Sequence, residues 1–146
     1  MVIFHPEDCS VLQALAVLGK KWTVFILCEL LADEEIYFSD LQNNLKNRYG
    51  ETISSKVLSD TLTLLEKSDI VNRTVDNDRR VRYSLTEKGQ DLEIVLAVLK
   101  GWGTKWGGSE FKKCRTFTCV HNAIPIFKID DAKENCVFFE ESEPSN

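Results

Sequence analysis

The sequence predicts a mainly helical α+β fold, a winged helix-turn-helix domain, and two observations lead to this prediction. Two consecutive helices each begin with their own capping signal, and two short strands joined by a turn of Asp and Asn residues follow them at once. A long helix with an apolar stripe comes after the strands. This order of elements is typical of the winged helix-turn-helix arrangement.

The bulk properties indicate one small globular domain. The chain has 146 residues, of which 43% are hydrophobic and 28% charged, enough for a single core. No apolar run approaches the roughly 20 residues that cross a bilayer. The segment Met1–Cys9 lacks the basic and apolar regions of a secretory signal. We therefore expect a cytoplasmic protein with no membrane partner.

The first two helices are predicted from apolar residues at helical spacing. Gly19 separates them, since glycine weakens a helix. The apolar positions are Leu12, Leu15 and Leu18 in the first helix, and Trp22, Phe25, Ile26 and Leu30 in the second.

The third predicted helix begins at Ser39, which is a good N-cap residue, and Gln42 three positions later completes a capping box. This helix buries Leu41 and Leu45 and ends near Gly50.

The fourth helix, residues 54–67, is the candidate recognition helix. Ser54 is its predicted N-cap, and Leu58, Leu62 and Leu65 form its buried stripe. Short polar side chains and one lysine on the opposite face suit a groove about 12 Å wide. That face comprises Ser55, Lys56, Ser59, Asp60 and Thr63. The alternative interpretation is an ordinary amphipathic surface helix.

The two strands, Ile70–Val75 and Arg80–Leu85, form the candidate wing, residues 73–85. Residues 73–82 contain four Arg against two Asp, although the whole chain has a net charge of −5. A focused basic face matters more for DNA binding than the total charge. Arginines at a ribbon tip reach the minor groove or the flanking phosphates. The candidates are Arg79, Arg80 and Arg82.

The last predicted helix is capped by Thr86 and continues to Trp106. Trp102 and Trp106 lie one turn apart on it, which favours a dimer interface. The helix closes a domain of residues 1–108. The extension, residues 109–146, has β-branched and aromatic runs that predict strands, and its role is unknown.

The extension also contains a candidate metal-ligand set, for which zinc is the natural metal. Its members are Cys114, Cys119, His121 and Cys136. A disulfide between Cys114 and Cys119 and simple burial of apolar thiols are the two alternatives.

Four segments together resemble the regulators of the HxlR type. They are Ala14–Thr23, Phe38–Leu41, Ile53–Ser59 and Tyr83–Gly89. The resemblance implies a homodimeric transcription factor with flanking dimerisation helices, bound to a pseudo-palindromic operator in double-stranded DNA. It assigns DNA contacts to Ser54, Ser55, Lys56 and Ser59.

The resemblance also concerns Cys9, at the head of the first helix, where some HxlR-type proteins carry a redox-active thiol. A helix N-terminus favours the reactive thiolate. The chain departs from the family pattern in having Thr61 and Thr63 where basic side chains are frequent, in its shorter wing, and in its extension.

Other functional classes have less support. The sequence has no Gly-rich phosphate loop, no HExxH motif and no nucleophile elbow, so we expect neither an enzyme nor a resident cofactor. A protein-interaction module on the same scaffold is the alternative that the net acidity favours. A small-molecule or redox effector is compatible with either interpretation.

Overall fold

The computed structural model describes residues 5–106. Within them the order of elements confirms the predicted fold: a mainly helical domain with a small antiparallel sheet. After a 3₁₀ turn the elements are α1 (Ser10–Leu18), α2 (Lys21–Ala32), β1 (Ile36–Tyr37), α3 (Phe38–Tyr49), α4 (Ser55–Lys67), β2 (Val71–Val75), β3 (Val81–Leu85), α5 (Glu87–Gln90) and α6 (Leu92–Trp106).

The core lies where α2, α3 and α4 meet the sheet. Ile26 and Leu27 of α2 are fully buried, and so are Leu41 and Leu45 of α3. The predicted stripe of α4 is confirmed, because Leu58, Leu62 and Leu65 are all buried in the same cluster. Burial of each such side chain stabilises the fold by about 1.5–3 kcal/mol, so this contact fixes how α4 is rotated about its axis.

The predicted cap at Ser39 is wrong. α3 begins one residue earlier, at Phe38, and its N-cap residue Tyr37 makes no side-chain capping bond. The reason is that Tyr37 still belongs to β1, so the chain passes directly from strand to helix. Gln42 serves another purpose: its Nε2 donates to the carbonyl of Ile53 and to Ser55 Oγ, both at 3.1 Å. It thereby joins α3 to the start of α4.

The predicted cap at Ser54 is confirmed. Its Oγ accepts a hydrogen bond from the backbone N–H of Val57 at 3.2 Å. Ile53 before it and Leu58 after it have the spacing of a hydrophobic staple, and both are buried. The turn between α3 and α4 starts at Gly50, whose φ of 70° is a left-handed conformation that favours glycine.

The sheet has three strands in the order β1-β3-β2, where the sequence predicted two. Both pairings are antiparallel, and Arg82 of β3 lies between Tyr37 of β1 and Thr74 of β2. The inward side chains of β3, Tyr83 and Leu85, are buried as predicted. β1 escaped prediction because two residues carry no alternation signal of their own.

Thr86 caps a helix as predicted, but the prediction of a single long helix after it is wrong. Thr86 Oγ1 accepts from the N–H of Gly89 at 3.0 Å and donates to the carbonyl of Asp69 at 2.6 Å. The helix that it caps, α5, ends at Gln90, and α6 starts at Leu92. The break occurs because the cap residue of α5 is anchored on the backbone of Asp69 and Ile70, just before β2, whereas α6 packs on the core through Leu96.

An ion pair ties α2 to α3. Arg48 Nη1 donates to Glu29 Oε1 at 2.6 Å, and the Glu29 side chain is fully buried. A charge-assisted bond of this kind is short and strong, and removing one partner of a buried pair typically costs about 3–5 kcal/mol. The pair therefore secures the packing of the two helices.

The outer helices leave apolar side chains in solvent. Leu18 is the buried residue of α1, while Val11, Leu12 and Leu15 are exposed. On α6, exposed side chains include Ile94 and Leu99. No single helix in residues 5–106 has the length and apolar content of a membrane span; α1 and α2 reach them only as a pair bent by 84°.

Gly89 generates a stability prediction. A Cβ at this position would overlap the carbonyl oxygen of Ile70, which is backbone and yields little. We expect Gly89→Ala to destabilise the protein by about 1–3 kcal/mol, because overpacking forces the backbone to shift. Gln90→Ala, at an exposed site on the same helix, is the matched control and should stay within about 0.5 kcal/mol. Urea unfolding of both variants decides, and equal midpoints would contradict this packing.

Candidate nucleic-acid interface

The exposed face of α4 carries the polar residues singled out from the sequence. Burial of the leucine stripe leaves Ser55, Lys56, Ser59 and Thr63 in solvent. Ser54 is exposed at the start of the helix, with its hydroxyl oxygen engaged by the Val57 N–H. The residues therefore form one polar strip along one helix.

The hydroxyl groups of this strip differ in what they can offer a ligand. Thr63 Oγ1 donates to the Ser59 carbonyl at 2.8 Å, so it can accept a hydrogen bond from DNA but not donate one. Ser55 Oγ accepts from Gln42, which leaves its own hydrogen free to donate. Lys56 makes no ion pair within the described part of the chain. Lys56 and Ser55 are thus the donors at the N-terminal end of α4.

The tip of the β2–β3 hairpin is fixed by Asp76. Its Oδ1 accepts from the backbone N–H groups of Asp78 and Arg80, both at 2.9 Å. The Arg80 N–H, more than any other group, lowers the pKa of Asp76 below its usual range. Arg79 takes a φ of 60° here, a conformation that a non-glycine residue adopts only when its surroundings hold it.

Tyr37 of β1 supports this tip from the adjoining strand. Its hydroxyl donates to Asp76 Oδ2 at 3.0 Å, and this bond to a carboxylate raises the pKa of Tyr37. Arg80 lies over the Tyr37 ring with its Cζ 3.6 Å from the ring centroid. Arg82 pairs with Glu35, Nη1 to Oε2 at 2.9 Å. Tyr37 of β1 and the adjacent Glu35 therefore hold the wing from one side.

The three predicted wing arginines consequently differ in the exposure and the partners of their side chains. Arg79 is exposed and makes neither an ion pair nor a ring contact with any described residue. Arg80 is exposed but stacked on Tyr37, and Arg82 is half-buried against Glu35. The sequence reasoning missed Tyr37 and Glu35. The β-branched and aromatic pair of β1 was the available signal, but its partners lie more than 35 residues away.

The remaining predicted residues fall in three places. Trp102 and Trp106 of α6 are 59% and 68% exposed. Cys9 is the N-cap residue of α1, half-buried and not in a disulfide. The metal-ligand set in residues 114–136 lies outside the described residues. Within residues 5–106 no group of three or more His, Cys, Asp or Glu side chains could hold a metal ion.

Comparison with known proteins identifies this arrangement. The HxlR-like helix-turn-helix family model matches residues 17–111. A relative from Methanothermobacter thermautotrophicus, described as an HTH-type transcriptional regulator, is 36% identical over 104 residues, which are 70% of this chain and 75% of the relative.

Two solved structures are similar over most of the described residues. The reduced form of the Bacillus subtilis transcriptional regulator YodB superposes with a TM-score of 0.59 at 30% identity, over 68% of this chain and 95% of YodB. The oxidised form of the redox regulator HypR gives 0.55 at 31% identity, over 66% of this chain and 95% of HypR. The family resemblance expected from the sequence is confirmed: the chain belongs to the HxlR-like helix-turn-helix family of transcriptional regulators.

Proposed function

We propose that this regulator works as a cytoplasmic homodimer on a pseudo-palindromic DNA operator, with α4 in the major groove and the wing on the flanking minor groove or backbone. The single observation that supports this best is the polar strip of α4, which carries unpaired donors at a capped helix N-terminus. Family membership already gives transcriptional regulation through a helix-turn-helix domain. The geometry of binding is the proposal.

The role of α4 follows from which groups remain available. Lys56 and Ser55 can donate to base edges or phosphates, and the strip has no bulky side chain that would block entry into the groove. The charges of α4 balance, since Asp60 and Glu66 offset Lys56 and Lys67. Affinity must therefore come in large part from outside this helix.

The wing supplies part of that affinity. Arg79 projects from a tip that Asp76 and Tyr37 fix in place, and its guanidinium has no partner among residues 5–106. An arginine whose backbone is already fixed loses less conformational entropy on binding than an arginine in a mobile loop. We assign Arg79 to the phosphate backbone or the minor groove, with Arg80 beside it.

Dimerisation is proposed through α1 and α6. Both helices expose several large apolar side chains, and exposed apolar surface of this kind is typical of interaction sites. The largest are Trp102 and Trp106, and aromatic residues of this kind are enriched in interface cores. A two-fold dimer would place two α4 helices about one DNA turn apart, roughly 34–36 Å.

The salt dependence of binding distinguishes residues that contact phosphates from residues that recognise the base sequence. We expect Arg79→Ala to weaken binding to all sequences and to reduce the slope of log K against log salt by about one, because one phosphate contact is lost. Lys56→Ala should weaken operator binding by about 1–3 kcal/mol more than binding to random DNA. Fluorescence anisotropy on the DNA flanking the gene measures both.

The matched control is Lys67→Ala, an exposed lysine at the other end of α4, which should leave the slope and the preference unchanged. If Arg79→Ala, Lys56→Ala and Lys67→Ala each had equal effects on operator and random DNA, α4 would be excluded as the recognition helix. Absence of binding to any promoter fragment at low salt would favour a protein-interaction module instead.

The dimer interface is tested with Trp102→Asp and Trp106→Asp together. We expect a folded monomer by sedimentation, with operator affinity reduced at least tenfold, because two half-sites are no longer held together. Thermal unfolding checks that the fold survives, since both side chains are exposed in the single chain. A double variant that remains dimeric would place the interface elsewhere.

A redox response is a second candidate function. HypR, named as a redox regulator, is a structural neighbour, and Cys9 lies at the N-cap of α1 next to the proposed dimer interface. We infer that an oxidant such as diamide joins the Cys9 thiol to a second thiol in a disulfide, with two protons and two electrons passing to the oxidant, and that this bond alters α1 and, through it, the spacing of the half-sites.

The redox proposal predicts that an oxidant such as diamide changes operator affinity at least threefold and that reductant restores it. Cys9→Ser should abolish the response, and Cys28→Ser, at a half-buried site in α2, should retain it. An identical response in wild type and Cys9→Ser would exclude Cys9 as the sensor.

A further inference from the structure

The outer edge of β2 is open within the described residues. β2 lies at one side of the sheet, in the order β1-β3-β2, and pairs there with β3 alone. Its residues 72–75 are all exposed, and the side chain of Val75 is 52% exposed. Natural edge strands are usually blunted by a proline, a bulge or a covering segment. β2 has neither a proline nor a bulge, since its register with β3 is continuous over all five residues.

The ladder between β2 and β3 determines which backbone groups this edge presents. The Asp76 N–H donates to the Arg80 carbonyl at 3.0 Å, so these residues form a hydrogen-bonded pair. Such pairs alternate along an antiparallel ladder, which directs the backbone groups of Thr74 toward β3 and those of Arg73 and Val75 toward the open edge. An extended segment can therefore pair with Arg73 and Val75 by main-chain hydrogen bonds.

The hairpin that carries this edge is positively charged. Residues 71–85 contain four Arg against two Asp. Arg73 on the edge strand and Arg79 at the tip are exposed, and neither makes an ion pair with any residue between 5 and 106. A segment that suits this edge should therefore combine strand-forming residues with acidic ones.

One segment of the chain outside the described residues has this combination. Residues 136–141 consist of Cys, Val, two Phe and two Glu, and Val and Phe are residue types enriched in strands. Residues 130–146 contain six of the 23 Asp and Glu but one of the 18 Lys and Arg. The rest of the chain is balanced at 17 of each, so the whole net charge of −5 lies in residues 130–146.

The other apolar runs of the extension suit the edge less well. Residues 115–120 begin with Arg115 and follow Lys112 and Lys113, so their charge repels the hairpin. Residues 124–129 contain Pro125, which cannot donate a main-chain hydrogen bond.

The connection to residues 136–141 is long enough. Between Trp106 and Cys136 there are 29 residues, which span up to about 100 Å when extended. A domain of about 100 residues has a radius of gyration of only about 13 Å. The segment can therefore reach β2 of its own chain, and the tether gives it a high effective concentration there.

We infer that residues 136–141 bind the open edge of β2 as a fourth strand of the sheet, with Glu140 and Glu141 among the arginines of the hairpin. Main-chain hydrogen bonds to Arg73 and Val75 supply the affinity, and the apolar run covers the exposed Val75 side chain. The acidic residues select this segment over the other runs of the extension.

The consequence for DNA binding rests on the proposed function. Glu140 and Glu141 carry the same sign of charge as DNA phosphates, and both compete for Arg73 and Arg79. The bound segment therefore lowers the affinity for DNA of any sequence, because phosphate contacts do not depend on sequence.

Amide hydrogen exchange of the full chain without DNA tests the added strand, and its outcome does not depend on the proposed function. NMR resolves the amides of β2 one by one. We expect the N–H groups of Arg73 and Val75 to exchange within about tenfold of the rate of the Thr74 N–H, although only Thr74 is bonded to β3. A larger difference overturns the inference. Protection of Arg73 and Val75 that falls on dilution assigns the edge to a second copy of the chain, which also overturns it.

A pair of proline variants identifies the segment. Phe138→Pro should raise the exchange rates of the Arg73 and Val75 amides at least tenfold, because proline interrupts a strand. The Thr74 amide should stay protected, which shows that the hairpin is intact. Phe117→Pro, in the run 115–120, is the matched control and should change none of these rates. Release of the edge by Phe117→Pro, or by neither variant, overturns the assignment to residues 136–141.

Charge reversal provides a second variant that introduces no proline. Glu140→Lys together with Glu141→Lys should also raise the exchange rates of the Arg73 and Val75 amides at least tenfold, since like charges then face each other on adjacent strands. Unchanged rates in this variant overturn the role given to the acidic residues.

Competition with DNA is measured separately. Glu140→Gln together with Glu141→Gln should raise the affinity for random-sequence DNA at low salt at least threefold. Glu7→Gln together with Asp8→Asn makes the same change of charge at exposed sites before α1 and should raise it less than threefold. Equal affinities of the two double variants, in a protein whose edge amides are protected and that binds DNA, exclude the competition while leaving the added strand in place.

Discussion

Burial of three leucines on α4 is the constraint that determines which side chains the candidate nucleic-acid interface exposes. A helix turns 100° per residue, so fixing Leu58, Leu62 and Leu65 against α2 and α3 determines the direction of every other side chain on α4. The polar strip then faces solvent, and Thr61 and Leu64 lie on another side of the helix, toward α1 and α2. One packing choice thus gives a single helix two sides of different chemical character.

Features encoded within a few residues were predictable, and those that join distant segments were not. Ser54 and Thr86 cap helices as predicted, because a cap depends on a hydroxyl and an N–H three residues later. The cap at Ser39 failed because β1, formed by pairing with residues 45 and 47 positions away, extends to Tyr37. The break between α5 and α6 likewise depends on the contact of the α5 end with the backbone of Asp69 and Ile70, which no periodicity in the helix itself reveals.

The candidate site follows the same division. Its residues on α4 could be chosen from the sequence, because a helical stripe defines its own opposite face. The different situations of the wing arginines could not, since the stacking of Arg80 on Tyr37 and the pairing of Arg82 with Glu35 span 43 and 47 residues. Cation–π and ion-pair partners of this kind depend on strand order. Arg79 therefore remains unpaired at the tip of the wing, whereas Arg80 lies over the Tyr37 ring and the charge of Arg82 is paired with Glu35.

The ion pair between Glu29 and Arg48 has a consequence for how such a sequence can change over time. Loss of either partner leaves a charge in the interior, whereas replacement of both by apolar residues of similar volume is often neutral or stabilising. The two positions are therefore coupled in evolution, because each single substitution destabilises the protein whereas the double substitution does not. Among homologues they should covary as a unit, exchanged together or retained together, while the exposed residues around them diverge one at a time.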